Sequence, residues 1–272
     1  MRKSLKTRTI TAVVLLCAVL VLLFTLSSVY WGLVTLALCA VAAWEWGKLA
    51  GVRSALLYAL ATIAVGVAFM TTHREIVPYV AAGVFWAAIA PLWLARKWHV
   101  RNVFLLALIG WVVLLPAWLA IVELHSLDPV LLLWMMSVIW IADIAAYFVG
   151  KRLGKRRLAP SISPNKTWEG AGGAFAAVTL YAALAIRFDF DSYIMARSVP
   201  DEDSGAPLFV ILNLVIATLS IIGDLFESWI KRTAHAKDSG TLLPGHGGVL
   251  DRIDGLTPTL PLFAFFILMN GK

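Results

Sequence analysis

Along this chain, apolar side chains come in long blocks. They show neither the alternation of a half-buried strand nor the one-sided stripe of a soluble helix. A helix that crosses a bilayer needs roughly 20 mainly apolar residues. The blocks run Thr9–Ser28, Trp31–Leu49, Ala55–Thr72, Ile76–Ala95, Val103–Glu123, Pro129–Gly150, Gly170–Ile186, Pro207–Trp229 and Thr257–Asn270. They predict an all-α polytopic integral membrane protein with about nine transmembrane helices, because a lipid-exposed backbone must satisfy its own polar groups. The last block is short and carries Pro258 and Pro261. The first follows Arg2, Lys3, Lys6 and Arg8, as a signal peptide would, but it is long and a second block follows at once. It therefore reads as a retained helix.

Charge orients these helices. With the N-terminus in the cytoplasm and nine alternations, all 23 basic residues except Arg74, Arg187, Arg197 and Lys272 fall inside. Cytoplasmic loops collect Lys and Arg in this way. The acidic run Asp201-Glu202-Asp203 and the C-terminus then lie outside. Composition agrees, with 61% hydrophobic and 14% charged residues among 272. A soluble domain carries about 45–50% and about 25%. Disorder, a coiled coil and an ordinary cytosolic globule are excluded. The net charge of +7 thus reads first as topology, with no nucleic acid as partner. Cys17 and Cys39 lie inside apolar blocks, which speaks for packing and against a disulfide framework. Trp46, Trp98, Trp168 and Trp229, near block ends, read as interfacial anchors.

Polarity divides the chain. Residues 1–128, the first five helices, hold little chemistry, whereas 129–272 carries two charged, glycine-rich segments on the inner side. The first begins with Asp143, about two turns inside a span, and Tyr147 on the same helical face. An ionisable group within a span is a functional candidate by default, the simpler alternative being a structural hydrogen bond. The five cations of Lys151–Arg157 read as topology and headgroup attraction. Ser163-Pro164-Asn165-Lys166-Thr167-Trp168-Glu169-Gly170 places a serine, a lysine, a threonine and a carboxylate just before a helix. Free N–H groups there suit phosphate. A helix cap with Glu169 in its first turn is the plainer reading, and both can hold.

The second segment starts within the eighth block. Asp224, Glu227 and Ser228 share a face, with Lys231 or Arg232 as possible partners for the acids. Lys237-Asp238, Pro244-Gly245-His246-Gly247-Gly248 and Asp251-Arg252-Ile253-Asp254 follow. Glycines permit close backbone approach to an anionic ligand. Asp224, Asp238, Asp251 and Asp254 offer oxygen ligands for Mg²⁺, which usually takes one or two carboxylates plus substrate phosphates and water. His246 suits a general base or a phosphate hydrogen bond. There is no Walker A sequence.

Ser228–Asp254 matches S-x-x-K-R-x(4)-K-D-x-G-x(3)-P-G-H-G-G-x-x-D-R-x-D at every fixed position. It resembles the signature of the phosphatidate cytidylyltransferase (CDP-diacylglycerol synthase) family, and the Ser163–Gly170 block is similar to that family's upstream motif. The resemblance covers the second half closely, and the span layout agrees over the whole length. It implies an enzyme of phospholipid synthesis in the bacterial cytoplasmic (inner) membrane, with its active site facing the cytoplasm. The implied reaction converts CTP and phosphatidic acid to CDP-diacylglycerol and pyrophosphate with Mg²⁺ and room for a second cation. By resemblance, Asp224 and Asp251 are first-choice metal ligands, with Asp238 and Asp254 behind them. Lys231, Arg232, Lys237 and Arg252 would bind phosphate. Gly245, His246, Gly247 and Gly248, with Ser228, would shape the nucleotide site. Ser163, Lys166, Thr167 and Glu169 would complete it, supported by Asp143 and Tyr147. Besides the bilayer, a homodimer partner is compatible with the resemblance. The alternatives are a CTP-dependent transferase acting on another lipid-like alcohol or phosphate, a transporter, and a non-catalytic scaffold.

Overall fold

A computed structural model describes residues 2–72, 76–198, 205–242 and 247–270. Its helices are α1 (Arg2–Thr25), α2 (Ser28–Leu49), α3 (Ala55–Thr72), α4 (Ile76–Val84), α5 (Ala90–Arg96), α6 (Val103–Leu127), α7 (Pro129–Leu153), α8 (Trp168–Arg187), α9 (Phe190–Ser198), α10 (Gly205–Thr233), α11 (Leu250–Ile253) and α12 (Leu256–Asn270). Six stretches are long and apolar enough to span a membrane: α2, the continuous Ile76–Arg96 run, α6, α7, α8 and α10. Thr11–Thr25, Ala55–Thr71 and Leu256–Asn270 are shorter apolar helices at the remaining expected positions. The protein is an all-α integral membrane protein.

Helix starts are written locally. Asn102 accepts from Leu105 N at 3.0 Å, and Asp128 accepts from Val130 N at 2.8 Å with Pro129 in the first helical position. Between α4 and α5 the ladder widens into a π-helical turn at Phe85–Ile89, just before Pro91. That proline lacks an N–H and crowds the preceding turn, so the wider turn absorbs it.

Helices α7 and α8 make the most extensive packing contact. Small residues form the seam: a Cβ at Gly173 would lie 2.6 Å from Val149, and one at Gly170 would lie 2.8 Å from the Ala146 carbonyl. Such seams let backbones approach closely within a membrane. Helix α2 packs on α3 and α6, α12 on α6 and α4, and α10 on α8 and α12. Phe226 of α10 is ringed by Phe85, Trp86 and Trp93 with centroids at 5.2, 5.5 and 5.6 Å.

Two expectations change here. Trp46 and Trp229 are core residues, not interfacial anchors: Trp46 Nε1 donates to the Leu106 carbonyl at 2.8 Å and Trp229 Nε1 to the Trp98 carbonyl at 3.0 Å. Trp98 and Trp168 remain exposed. The segment before α8 is a two-stranded antiparallel hairpin, β1 (Arg157–Ala159) with β2 (Ser163–Thr167), pairing Arg157 with Thr167 and Ala159 with Ser163. It is the one sheet among the described residues. Beyond α8, the short helix α9 pins the start of α7: Tyr193 donates to Asp128 at 2.7 Å, and Arg197 pairs with the same carboxylate.

Candidate active site

The last turns of α10 carry a polar face on an otherwise apolar helix. Asp224, Glu227, Ser228 and Lys231 follow i, i+3, i+4, i+7 spacing, so they lie on one side. Lys231 is buried and bridges Glu227 Oε2 and Asp251 Oδ1, each at 2.5 Å. Past α10 the chain reverses through His235, whose φ is +55°, and returns to the short helix α11. Asp251, in that helix, gathers donors: Ser239 N at 2.9 Å, Ser239 Oγ at 2.9 Å and Gly248 N at 2.8 Å, besides Lys231. Burial alone would raise its carboxyl. The Lys231 and backbone hydrogen bonds outweigh that and bring it down to about 2.

The same loop also wraps a carboxylate from the first half of the chain. Glu45 of α2 is fully buried and accepts from Ser239 Oγ at 3.0 Å, Val249 N at 3.1 Å and Leu250 N at 2.8 Å. The glycines explain how the loop comes so close. A Cβ at Gly248 would strike Ser239 Oγ and both Glu45 oxygens. Gly247, at φ +82°, sits where a Cβ would strike Asp251 Oδ2. Gly247 and Gly248 thus admit the protein's own carboxylates. Gly245 and His246 lie outside the described residues.

A second group of charges lies higher on α10. Asp224 Oδ2 pairs with Lys166 Nζ of β2 at 2.5 Å, and Ser228 Oγ donates to Asp224 Oδ1 at 3.3 Å. Asp224, Lys166 and Arg252 act electrostatically on Asp143 of α7. Among the described residues, the Asp254 carboxylate receives one hydrogen bond, from Gly255 N at 2.8 Å. Desolvation, then the charges of Asp224 and Asp143, push its carboxyl well above the usual range. Gly223 makes room for this arrangement, since a Cβ there would strike the Asp254 carbonyl. Asp143, Asp224, Asp254, Lys166 and Arg252 therefore form one electrostatic unit drawn from α7, β2, α10 and the α11 segment.

Other predicted residues have plainer places. Thr167 is the α8 N-cap, accepting from Gly170 N at 3.1 Å. Glu169 ties down the preceding turn by accepting from Lys155 N at 3.0 Å and Arg156 N at 3.1 Å. The cap is therefore realised by Thr167, whereas Glu169, in the first turn, binds the α7–β1 connection. Ser163 is half-buried in β2. Arg232 donates to the Ile162 carbonyl at 3.4 Å, tying α10 to the hairpin. Tyr147 is exposed and meets Lys151, whose Nζ lies 3.5 Å from its hydroxyl. Lys237 and Asp238 are exposed. Among the described residues, no three His, Cys, Asp or Glu side chains converge as a ready-made metal cage. The four carboxylates singled out from the sequence divide instead: Asp224 and Asp254 lie in the upper group, Asp251 in the lower, and Asp238 is at the surface.

Sequence reasoning passed over Glu45. Its signal was present: a lone carboxylate between Trp44 and Trp46 inside an apolar block. That is the ionisable intramembrane residue that calls for an explanation. It lay in the half regarded as poor in chemistry.

A sequence profile of the Cytidylyltransferase family matches residues 6–270. The chain is 34% identical to the phosphatidate cytidylyltransferase of Haemophilus influenzae, over 96% of this chain and 98% of that protein. It is 37% identical to the phosphatidate cytidylyltransferase of Pseudomonas aeruginosa, over 98% of each. Identity to the phosphatidate cytidylyltransferase of Brucella melitensis is 48%, over 50% of this chain and 46% of the relative. With the match running nearly end to end, the chain belongs to the cytidylyltransferase family and is a nucleotidyltransferase.

Proposed function

We propose that this protein transfers CMP from CTP to phosphatidic acid, giving CDP-diacylglycerol and pyrophosphate for phospholipid synthesis. A phosphate oxygen of the lipid forms a bond to the α-phosphorus of CTP, and the bond to the β-phosphate oxygen breaks. The nucleophile is already anionic, so a strong base is not required. Bringing two polyanions together is the harder problem.

The observation that carries this reading is the upper charge group. Asp143, Asp224 and Asp254 act on one another with Lys166 and Arg252 as the nearby cations. Hard oxygen ligands with surplus negative charge fit Mg²⁺, which takes few protein carboxylates when substrate phosphates complete its shell. Asp224 and Asp254 would hold it, while Asp251, with both oxygens engaged by Lys231, Ser239 and Gly248, would stay behind that shell. Held by these acids, Mg²⁺ would supply charge neutralisation of the substrate phosphates. Lys166 and Arg252 hold anionic oxygens of the substrates, and Lys231 keeps Asp251 oriented.

The reading includes an orientation: the N-terminus and both motif segments face the cytoplasm of a bacterial inner membrane, where CTP is available. It is supported by the distribution of basic residues. The test is an assay of purified protein with labelled CTP, phosphatidic acid and titrated Mg²⁺. Lipid-linked CMP and pyrophosphate in equal amounts are the expected products. Turnover with a dolichol-type alcohol and none with phosphatidic acid would overturn the reading.

A further inference from the structure

The motif-bearing loop is fastened to a helix that carries no motif. Glu45 has no solvent exposure and sits on α2 among apolar neighbours. A buried carboxylate costs several kcal/mol unless donors meet it. Among the described residues, all its hydrogen-bond donors come from the one segment following α10: Ser239 Oγ, Val249 N and Leu250 N. The dependence is mutual. Among the described residues, Glu45 is satisfied only when that segment lies against α2, and Val249 N and Leu250 N find their acceptor in Glu45.

Ser239 extends the fastening to Asp251. Its Oγ lies 3.0 Å from Glu45 Oε2 and 2.9 Å from Asp251 Oδ2. A hydroxyl has a single hydrogen, so one proton serves two carboxylates. Gly240 reinforces the fit, since a Cβ there would strike Glu45 Oε1. One link therefore separates α2 from an acid of the signature.

We propose that Glu45 is a positioning residue for the transfer reaction. It fixes Ser239 and the Gly248–Leu250 stretch on α2 and, through Ser239, sets the orientation of Asp251. This rests on the function proposed above. The residue acts through its neighbours, so its removal should lower turnover and not abolish the fold.

The test compares wild type, Glu45→Gln, Glu45→Asp and Ser239→Ala as purified full-length protein. Glutamine presents an amide N–H₂ toward backbone donors, whereas aspartate keeps the acceptor charge. Glu45→Gln should lower kcat by about 10- to 100-fold, as loss of residues behind a metal or phosphate site does. Its KM for CTP should change less, Glu45→Asp should recover part of the loss, and Ser239→Ala should show a smaller drop in the same direction. Amide hydrogen exchange over 239–250 should accelerate in Glu45→Gln without any substrate present. Wild-type kcat per folded molecule, or unchanged exchange over that segment, would overturn the proposal. Should Glu45→Gln fail to fold, Ser239→Ala decides by the same two readouts. A wild-type protein inert toward CTP and phosphatidic acid would instead sink the proposed function, and the exchange comparison would still judge the fastening.

Discussion

Two groups of acids meet near the same end of α10, and they are built in opposite ways. In the lower group, Asp251 receives four hydrogen bonds and Glu45 three, the Ser239 hydroxyl proton being shared between them, while the buried Glu227 has an ion pair to Lys231 through Oε2 and, among the described residues, no partner at Oε1. In the upper group, Asp254 has a single backbone donor and feels two neighbouring carboxylates. Asp224 is a third exposed, at 34%. A saturated acid has no remaining call on a ligand, so Asp251 and Glu45 read as architecture that positions the loop. An under-satisfied one lowers its free energy when a cation arrives. The surplus charge therefore marks where Mg²⁺ and phosphates would bind, more clearly than the number of acids does.

The largest effect should come from the upper group. Asp224→Asn is expected to cut CDP-diacylglycerol formation by about 100-fold or more, with membrane insertion and melting temperature unchanged. Wild-type rates would erase the distinction between the groups. Lys166→Met removes the partner at 2.5 Å from Asp224 and should cost about 10- to 100-fold, seen mainly as weaker use of CTP or lipid. Steady-state kinetics against each substrate separates the two.

The lower group should answer in stability. Gly248→Ala drives a methyl toward Ser239 and Glu45, and overpacking of this kind costs about 1–3 kcal/mol. Thermal unfolding in detergent reads it, and an unchanged melting temperature would mean the loop has slack. The smallest effect lies away from both groups. Burial would raise the Asp128 carboxyl, but hydrogen bonds from Tyr193, Val130 and Arg197 prevail and hold it below its usual value. Its stabilisation is then present above the unfolded value of about 3.9 and fades as pH falls below it. Asn caps a helix as well as Asp does, so Asp128→Asn loses only the charge facing Arg197 and should cost about 0.5 kcal/mol near neutrality. The melting-temperature difference from wild type should shrink as the pH is lowered past that point.

Legibility followed the range of the interactions. The apolar blocks revealed the long helices because a span is a local property of some twenty residues. The Thr167 cap was readable for the same reason, its partner being three residues away, whereas the tie from Glu169 to Lys155 and Arg156 was not. Trp46 and Trp229 were misplaced because position at a block end says nothing about which helix packs alongside. The hairpin at Arg157–Thr167 hid in a segment whose charges suggested only topology. Helix α9 was missed because it is too short and mixed in polarity to stand out. Asp143 and Asp254 were visible as acids, but their electrostatic union depends on Gly223 and Gly255, which let the Asp254 segment close on α10 and on Ile139 of α7.

The fastening of Glu45 also sets an order of assembly. Its donors lie 194 to 205 residues further along the chain. At synthesis rates of about 5–20 residues per second, α2 is finished on the order of 10–40 s before those donors exist. During that interval the Glu45 carboxylate has to be met by water, lipid headgroups or a temporary protein partner. The loop that bears the signature is thus among the last parts to lock, and a ribosome stalled before residue 249 would leave Glu45 without two of its three donors.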